Sequence, residues 1–287
     1  MDFINGKELL ELCFKYDKPI SEIMRQREIR TGNVCSKEIE DKLERVLKIM
    51  VSSTHTPLEH PVASIGGLLG GEAKRINEYK GANLCGSVLT KAIAYAMAVP
   101  EVNASMGLIV AAPTAGSSGV VPGVLLAVSE AYGFSEEQMK EALLNAGAIG
   151  YLLMRNASVS GAEAGCQAEV GAASAMAASA LIELFGGTPN QCLIAAAMAI
   201  SNLLGLVCDP VAGLVEVPCQ SRNAIGASNS ITCAQLVLSG LVHPIPFDEM
   251  AEAMYTVGKA LPFEFRESAM GGCASTPTGC GLCKQLL

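Results

Sequence analysis

The chain has 287 residues, of which 50% are hydrophobic and only 17% are charged, and its formal net charge at pH 7 is −8. This acidic balance excludes the basic surface that nucleic acids and anionic membranes attract, so neither is an expected partner. Because charged residues make up about 25% of an average globular chain, we expect other protein to cover part of the surface in an oligomer.

The N-terminal sequence and the cysteine content indicate a reducing compartment. The first residues, "MDFINGKELLELCFKYDKPI", place acids among the apolar residues, so we expect no secretory signal. The chain has 11 cysteines, an odd number. We therefore expect a cytoplasmic protein whose reduced thiols are core residues, metal ligands or redox groups, and no disulfide framework.

The first strong helix signal is amphipathic. The segment "SKEIEDKLERVLKIMVSS" begins at Ser36, a typical N-cap. Its apolar positions recur every three or four residues and share one face, with charged residues opposite: Ile39, Leu43, Val46, Leu47 and Met50. We therefore predict a helix with one buried face.

Three further helices have clear start or stop signals. Ser135 opens the capping box "SEEQ" ahead of the helical pattern "MKEALLNAGAIGYLLM". Thr188 and Pro189 provide an N-cap and a proline in the first turn of the next helix. The segment "PFDEMAEAMYTVGKAL" is predicted to be a helix that stops before Pro262.

Between these helices lie Ala- and Gly-rich tracts that are apolar on most sides, at 85–98, 118–131, 163–185 and 222–240. Trp is absent and aromatics are 5% of the chain, which favours closely packed helices over a β-sandwich. The best strand candidates, "GLIVAAP" and "GLVEVPC", are short. We predict a mainly α protein with buried Ala/Gly-rich helices. An N-terminal helical lead-in over 1–60 and a large all-helical domain over 61–287 form one continuous unit.

The longest apolar run extends from Cys192 to Cys208 and has two interpretations. It is interrupted by Ser201 and Asn202 and falls short of the ~20 residues that span a bilayer. It is also rich in Ala and lacks basic flanks. We therefore favour a central helix buried on all sides over a membrane span.

Glycine marks four irregular segments between apolar runs, at 66–71, 113–119, 160–165 and 209–214. A Gly- and Ser-rich loop that leads into a helix presents free backbone N–H groups, which can hold a carboxylate or phosphate. A tight connection between helices is the alternative at each segment. Because there are four of them, we expect some to converge.

Two sets of cysteines compete as metal ligands. The C-terminal set contains the only C-x-x-C of the chain but lacks a fourth ligand nearby, so it is incomplete as a zinc site: Cys273, Cys280 and Cys283. The members of the internal set each stand beside a glycine or proline that fixes the backbone: Cys166, Cys208 and Cys219.

The internal set suits a different metal centre. We predict that Cys208 ends a buried helix before Asp209 and Pro210 turn the chain away. Three thiolates held rigidly suit an iron–sulfur cluster with one iron left open. The alternative is that each is a small apolar core residue, a frequent role of free cysteine.

Four long motifs occur in order along the chain: "EVNASMGLIVAAPTAGSSGVVPGVL", "NASVSGAEAGCQAEVGAASAMAA", "NLLGLVCDPVAGLVEVPCQSRNAIGA" and "RESAMGGCASTPTG". Together they resemble the α chain of the iron–sulfur-dependent L-serine dehydratases. The similarity runs from about residue 60 to the end and is weaker before that point.

The resemblance implies an all-helical α domain with a 4Fe-4S cluster and a β part, either fused or separate. The family's cluster cysteines belong to the motifs G-C-Q-x-E-V-G and C-D-P…P-C, which match Cys166, Cys208 and Cys219. We see no fused β domain, so the resemblance implies a β chain as partner. Some single-chain relatives complete the open iron with a cysteine at the extreme C-terminus. Here residues 284–287 follow Cys283, and we expect the tail cysteines not to be ligands.

The implied reaction deaminates L-serine to pyruvate and ammonia, with the cluster as Lewis acid and without pyridoxal phosphate. The carboxylate and ammonium of the substrate need polar partners, which "TAGSSG" and "NASVSG" offer: Ser117, Ser118, Gly119, Asn156 and Ser160. Helix capping is the alternative role of these residues. Two acids near Cys166, Glu163 and Glu169, could bind the ammonium or pair with Arg155.

A protein base must remove the Cα proton of the substrate. The chain has three histidines, His55, His60 and His243, and Lys74 follows a glycine-rich segment. We name His55 and Lys74 as the candidate bases, and a loop or surface role is the alternative for each.

Three other functions remain open. A related iron–sulfur lyase would act on L-threonine or L-cysteine. A non-catalytic cluster protein would use four cysteine ligands and a reversible one-electron couple. A structural or membrane-embedded subunit would need detergent for extraction.

Overall fold

A computed structural model of the protein describes residues 2–32 and 34–286. This part of the chain contains thirteen α-helices, and no β-strand is found in it. The prediction of a mainly α protein is confirmed.

The α-helices are, in chain order, α1 (Gly6–Tyr16), α2 (Ile20–Thr31), α3 (Ser36–Glu59), α4 (Glu72–Glu78), α5 (Gly86–Ala104), α6 (Val120–Tyr132), α7 (Glu136–Asn156), α8 (Gly161–Ala164), α9 (Ala172–Leu184), α10 (Pro189–Ser201), α11 (Cys219–Leu238), α12 (Phe247–Ala260) and α13 (Pro277–Leu286). A π-helical turn (Gln167–Gly171) joins α8 to α9. Short 3₁₀ turns occur at Val211–Gly213, Phe263–Phe265 and Gly272–Ser275.

The predicted capping signals start their helices. The Gln138 amide donates to Ser135 Oγ over 3.3 Å at the start of α7, and the Gln191 amide donates to Thr188 Oγ1 over 3.3 Å at the start of α10. The start of α3 differs from the prediction, because Cys35 and not Ser36 is the N-cap residue. The Cys35 amide donates to Glu38 Oε2 over 2.8 Å and so closes the first turn.

Helix α9 forms the centre of the core. All its residues from Ala172 to Ile182 are buried, and it packs against α6, α7, α10 and α11. Small side chains cover most of its surface, so four neighbouring helices approach it closely. Helix α5 packs on the outside of α6 and α11.

Helix α10 contains much of the long apolar run and is largely buried between α9, α11 and α12. Within the residues that the structure describes, no helix is long and apolar enough to cross a membrane.

The first two helices share the core of the rest of the chain. Phe3 and Leu9 are fully buried, and α2 packs on α7 while α1 contacts α10 and α12. The Asp248 carboxylate at the start of α12 accepts hydrogen bonds from the amides of Gly6 (2.6 Å) and Lys7 (3.0 Å). The division of the chain at residue 60 stays a prediction.

Two local predictions are wrong, and a third is confirmed only in part. Both strand candidates are without a partner strand: "GLIVAAP" is a loop after α5, and "GLVEVPC" runs from a 3₁₀ turn into α11. Cys208 does not end a helix, because α10 stops at Ser201 and an irregular loop follows. The tract 163–185 is interrupted by the π-helical turn, which places the residues after Cys166 differently from a regular helix.

Candidate functional site

The three internal cysteines meet at one place in the fold. Cys166 precedes the π-helical turn, Cys208 lies in the loop after α10, and Cys219 is the first residue of α11. Their exposed fractions are 3%, 3% and 7%. A hydrogen bond with Cys166 and burial raise the pKa of Cys208. Burial raises the pKa of Cys219 to about 12, and the charge of Cys166 adds to this effect.

Backbone hydrogen bonds attach the fourth sequence motif to the loop that carries Cys208. The Cys208 amide donates to the Phe265 carbonyl over 2.8 Å, and the Glu267 amide donates to the Cys208 carbonyl over 2.7 Å. The segment "RESAMGG" is therefore part of this site, although it lies far along the chain from Cys208.

The buried Asp209 forms an ion pair with Arg222 beside Cys208 and Cys219. Arg222, in the first turn of α11, places Nη1 2.6 Å from Asp209 Oδ1 and donates to the Val207 carbonyl over 2.8 Å. Asp209 Oδ2 accepts from the Cys273 amide over 2.6 Å. Burial alone would raise the pKa of Asp209, but the Cys273 amide and the Arg222 charge lower it below its ordinary value. The cysteine loop, α11 and the C-terminal segment are thus joined by charge-assisted hydrogen bonds.

A cavity of about 200 Å³ opens beside Cys208 and Cys219, with room for a small amino acid. Its other lining residues come from five segments: Thr114, Ala115, Gly116, Glu169, Pro210, Val215 and Glu267. Within residues 2–32 and 34–286, the amides of Ala115 and Gly116 donate no hydrogen bond. The cavity wall therefore combines thiols, carboxylates and free amide groups.

Glu169 is a carboxylate in contact with one of the cysteines. Its Oε1 accepts from the Thr114 hydroxyl over 2.7 Å, and its Oε2 lies 3.8 Å from Cys208 Sγ. Burial raises the pKa of Glu169 above its ordinary value, the Thr114 hydrogen bond opposes this, and the charge of Glu267 adds to it.

Three of the four glycine-rich segments converge on this cavity. A Cβ atom built on Gly116 would lie 3.0 Å from Glu169 Oε1, and one on Gly161 would lie 2.4 Å from Glu169 Oε2 and 3.0 Å from Cys208 Sγ. The segment 209–214 contributes Pro210 to the wall. The expectation of convergence is confirmed here, because glycine lets the backbone approach the carboxylate and the thiol.

The fourth glycine-rich segment is tied to the residues just before Cys219. The buried Glu216 carboxylate accepts from the Ser64 hydroxyl (2.6 Å), the Gly66 amide (2.9 Å) and the Leu68 amide (3.0 Å). This segment therefore supports the site without lining the cavity.

None of the five predicted substrate-binding residues is among the lining residues of the cavity. Ser117 and Ser118 are fully buried, and the Ser118 hydroxyl donates to the Ala115 carbonyl over 2.7 Å. The Gly119 amide donates to Asn223 Oδ1 over 2.9 Å. The Asn156 side chain donates to the Ile4 carbonyl over 2.8 Å, and Ser160 precedes α8. Their roles in substrate binding stay predictions.

Neither candidate base lines the cavity. His55, on α3, has Nε2 3.2 Å from both Glu130 Oε1 and the Tyr95 hydroxyl. Lys74, on α4, donates to the Glu59 carbonyl over 3.1 Å. Their catalytic roles stay predictions as well.

Sequence reasoning missed four residues of the site: Thr114, Asp209, Arg222 and Glu267. Each lies inside one of the four quoted motifs, so membership in these motifs could have identified them. What the sequence did not reveal is that the carboxylates and the guanidinium come together around the cysteines.

The tail cysteines are near the site but do not line the cavity. The Cys273 amide binds Asp209, and Cys280 Sγ lies 3.6 Å from the Ala274 carbonyl. Helix α13, with Cys280 and Cys283, packs against the 3₁₀ turn at Val211–Gly213. The expectation that Cys283 is not a ligand stays a prediction.

The cysteines of the site differ in their fit to the two kinds of metal centre that cysteines form. In the described part of the chain, no group of three or more His, Cys, Asp or Glu side chains is arranged to hold a single ion. Three neighbouring thiols from three segments of the chain, two of which line the cavity, suit the thiolate ligation of an iron–sulfur cluster. Arg222 and the N-terminus of α11 place positive charge beside these thiols, which suits an anionic cluster.

Comparisons with known proteins agree with this geometry. Residues 15–274 match the family model described as serine dehydratase alpha chain. The chain is 46% identical to the probable L-serine dehydratase, alpha chain, of Bacillus subtilis (strain 168), over 99% of this chain and 95% of that protein. It is 43% identical to the L-serine dehydratase, alpha chain, of Peptoniphilus asaccharolyticus, over 96% and 94% of the two chains.

A longer relative matches over only part of its length. The L-serine dehydratase of Helicobacter pylori (strain ATCC 700392 / 26695) is 39% identical over 96% of this chain and 62% of that protein. The family match begins well before residue 60, so it extends farther into the N-terminal helices than the four motifs indicated. The chain belongs to the serine dehydratase alpha chain family.

Proposed function

We propose that this chain is the alpha subunit of an L-serine dehydratase, which converts L-serine to pyruvate and ammonia. The observation that carries the proposal is the convergence of Cys166, Cys208 and Cys219 beside a cavity of amino-acid size, in a member of this family. We assign these cysteines as the ligands of an iron–sulfur cluster and a separate beta chain as the partner. The Bacillus subtilis and Peptoniphilus asaccharolyticus relatives are themselves alpha chains, which supports that partner.

When bound, a cluster with one open iron supplies Lewis-acid stabilisation for the departing hydroxyl of the substrate. The protein supplies the remaining requirements. The free amides of Ala115 and Gly116 are suited to hold the substrate carboxylate.

The reaction balances without an added cofactor. Loss of the Cα proton and the β-hydroxyl removes one water and leaves 2-aminoacrylate. This product tautomerises to the imine, and the imine takes up one water to release pyruvate and ammonia. The protein must therefore accept one proton from Cα and hold it until it leaves with the hydroxyl.

The test is anaerobic reconstitution of the complex of this chain and its beta chain with iron and sulfide. Iron content, visible absorption and pyruvate release from L-serine are measured for the wild type, Cys208→Ser and Cys283→Ser. We expect Cys208→Ser to lose the cluster and the activity, and Cys283→Ser to keep both, because Cys208 lines the cavity and Cys283 does not.

Three outcomes would overturn parts of the proposal. Loss of the cluster in Cys283→Ser but not in Cys208→Ser would move the metal centre to the tail. Faster turnover of L-threonine or L-cysteine than of L-serine would reassign the substrate within the same lyase class. A loaded complex that cycles one electron but turns over none of these amino acids would be a non-catalytic cluster protein.

A further inference from the structure

Glu169 is a partly buried acid of the cavity that the proposed chemistry leaves without a role. It lies in the π-helical turn after Cys166 and faces the cavity beside Cys208. Its carboxylate accepts from the neutral Thr114 hydroxyl over 2.7 Å. In the part of the chain that the structure describes, no Lys, Arg or His side chain forms a salt bridge with it.

The position of this carboxylate is fixed by the backbone around it. Gly116 and Gly161 approach Glu169 from two sides, so closely that a Cβ atom on either would lie within 3.0 Å of a carboxylate oxygen. Thr114 holds Oε1 from the same loop as Gly116. Glu169 therefore presents an oriented acceptor to the cavity and needs no rearrangement to receive a donor.

The charge around Glu169 favours a cationic ligand group. A partly buried carboxylate without a counter-ion is unfavourable, and a cation that enters the cavity compensates its charge. Glu267, a second acid, lines the same cavity. Glu163, the other acid near Cys166, is exposed and is bound by the Ser158 hydroxyl over 2.6 Å, so it does not share this setting.

We propose that Glu169 binds the ammonium group of the substrate and so selects amino acids over the corresponding hydroxy acids. The inference rests on the proposed function, since it concerns the same cavity. The ammonium would be held by Glu169 and Thr114 on one side, while the Ala115 and Gly116 amides are suited to the carboxylate. A bound amino acid is then oriented at both of its charged ends.

The experiment compares Glu169→Gln with Glu163→Gln in the anaerobically reconstituted complex. The amide of Gln keeps the size of the side chain but removes its charge. We expect Glu169→Gln to raise the KM for L-serine about 10-fold or more and to change kcat by less than about threefold, since a charge-assisted hydrogen bond to the substrate is lost. Glu163→Gln should match the wild type in both constants.

A second ligand separates ammonium recognition from a general disturbance of the cavity. L-Glycerate has a hydroxyl where L-serine has its ammonium, and its inhibition constant is measured on the same proteins. We expect Glu169→Gln to bind L-glycerate within about threefold of the wild type. An equal loss for both ligands would overturn the proposal, and so would an unchanged KM for L-serine. A fall in kcat alone would make Glu169 an acid–base group instead.

Iron content and visible absorption of each variant provide a readout besides activity. If Glu169→Gln fails to hold a cluster while Glu163→Gln holds one, Glu169 supports the cluster and the ammonium proposal is wrong. If the loaded wild type releases no pyruvate, the proposed function fails by itself. In that case, calorimetry measures the affinity of each protein for L-serine. Equal affinities of the wild type and Glu169→Gln would contradict the ammonium proposal.

Discussion

Asp209 shows how one side chain can link the cysteines to the end of the chain. It follows Cys208 directly, pairs with Arg222 of α11, and accepts the amide hydrogen of Cys273. Gly272 brings the backbone close enough for this last bond: its φ is +57°, and a Cβ atom there would lie 2.1 Å from Asp209 Oδ2.

Replacing this glycine should therefore loosen the C-terminal segment. We expect Gly272→Ala to lower the free energy of unfolding by about 2 kcal/mol, because alanine is strained at positive φ and its methyl group would displace Asp209. Urea unfolding of the purified chain measures the loss. Gly281→Ala is the control, since Gly281 lies in α13 with no atom within 4 Å of the added Cβ.

For the control variant we expect the free energy of unfolding to stay the same or to rise. Alanine stabilises the interior of a helix by up to about 1 kcal/mol relative to glycine, so Gly281→Ala should unfold at the same or higher urea concentration. Equal stability of Gly272→Ala and the wild type would mean that the contact with Asp209 does not contribute to the fold.

At the scale of elements, carboxylates link helices that are distant in sequence. The fully buried Glu101 accepts from the Ala73 amide at the start of α4 (2.9 Å) and from the Gln220 side chain of α11 (2.9 Å). Glu183 does the same for another part of the core. It accepts from the Ser21 amide of α2 (3.3 Å) and from the Asn145 side chain of α7 (2.7 Å).

Glu183 should make stability depend on pH. Burial raises its pKa above the ordinary value of 4.5, the hydrogen bonds from Ser21 and Asn145 oppose this, and Glu141 adds to it. The other titratable neighbours are the thiols of Cys13 and Cys192. Because the folded state holds the proton more tightly, the contribution of Glu183 is present below its ordinary pKa and is lost as pH rises through the raised value.

The measurement is urea unfolding of wild type and Glu183→Gln at pH 5 and pH 8. We expect the stability of the wild type, relative to the variant, to fall between these two values. Glu252→Gln, at an exposed position of α12, should leave the pH dependence unchanged. A parallel response of wild type and Glu183→Gln would contradict the assignment.

At the scale of the whole molecule, the two ends of the chain close against the central bundle. The C-terminal segment binds the cysteine loop through Asp209. At the other end, the Asp248 carboxylate accepts the amide hydrogens of Gly6 and Lys7 and stabilises the positive N-terminal end of α1. Residues 242 positions apart are thus in direct contact.

Removal of the Asp248 carboxylate should separate the first helix from the bundle. We expect Asp248→Ala to lower the free energy of unfolding by about 1–2 kcal/mol, the usual effect of losing a helix cap. Hydrogen exchange should increase mainly in α1. Glu249→Ala changes the next, exposed residue and should have little effect on either measurement. Unchanged exchange in α1 of Asp248→Ala would show that α1 is held by its apolar face alone.

The sequence by itself determined the helical class and the starts of α7 and α10, whereas the cysteine ligand set stays a prediction. Helix periodicity and capping depend on residues within a few positions, so Ser135 and Thr188 could be assigned locally. The two strand predictions were wrong because the pairing of a strand depends on residues that are distant in sequence. Short apolar runs do not indicate whether a pairing strand exists, and in the described part of the chain none does.

The composition of the cavity was decided only by the tertiary structure. Cys166, Glu169, Cys208 and Glu267 share a site because α9, α10 and α11 pack together and the chain returns to Cys208 at Phe265. The sequence offered Glu163 and Glu169 as equal candidates for the ammonium. The π-helical turn and the approach of Gly116 and Gly161 separate them, because burial and charge compensation depend on contacts across the whole chain and not on local sequence.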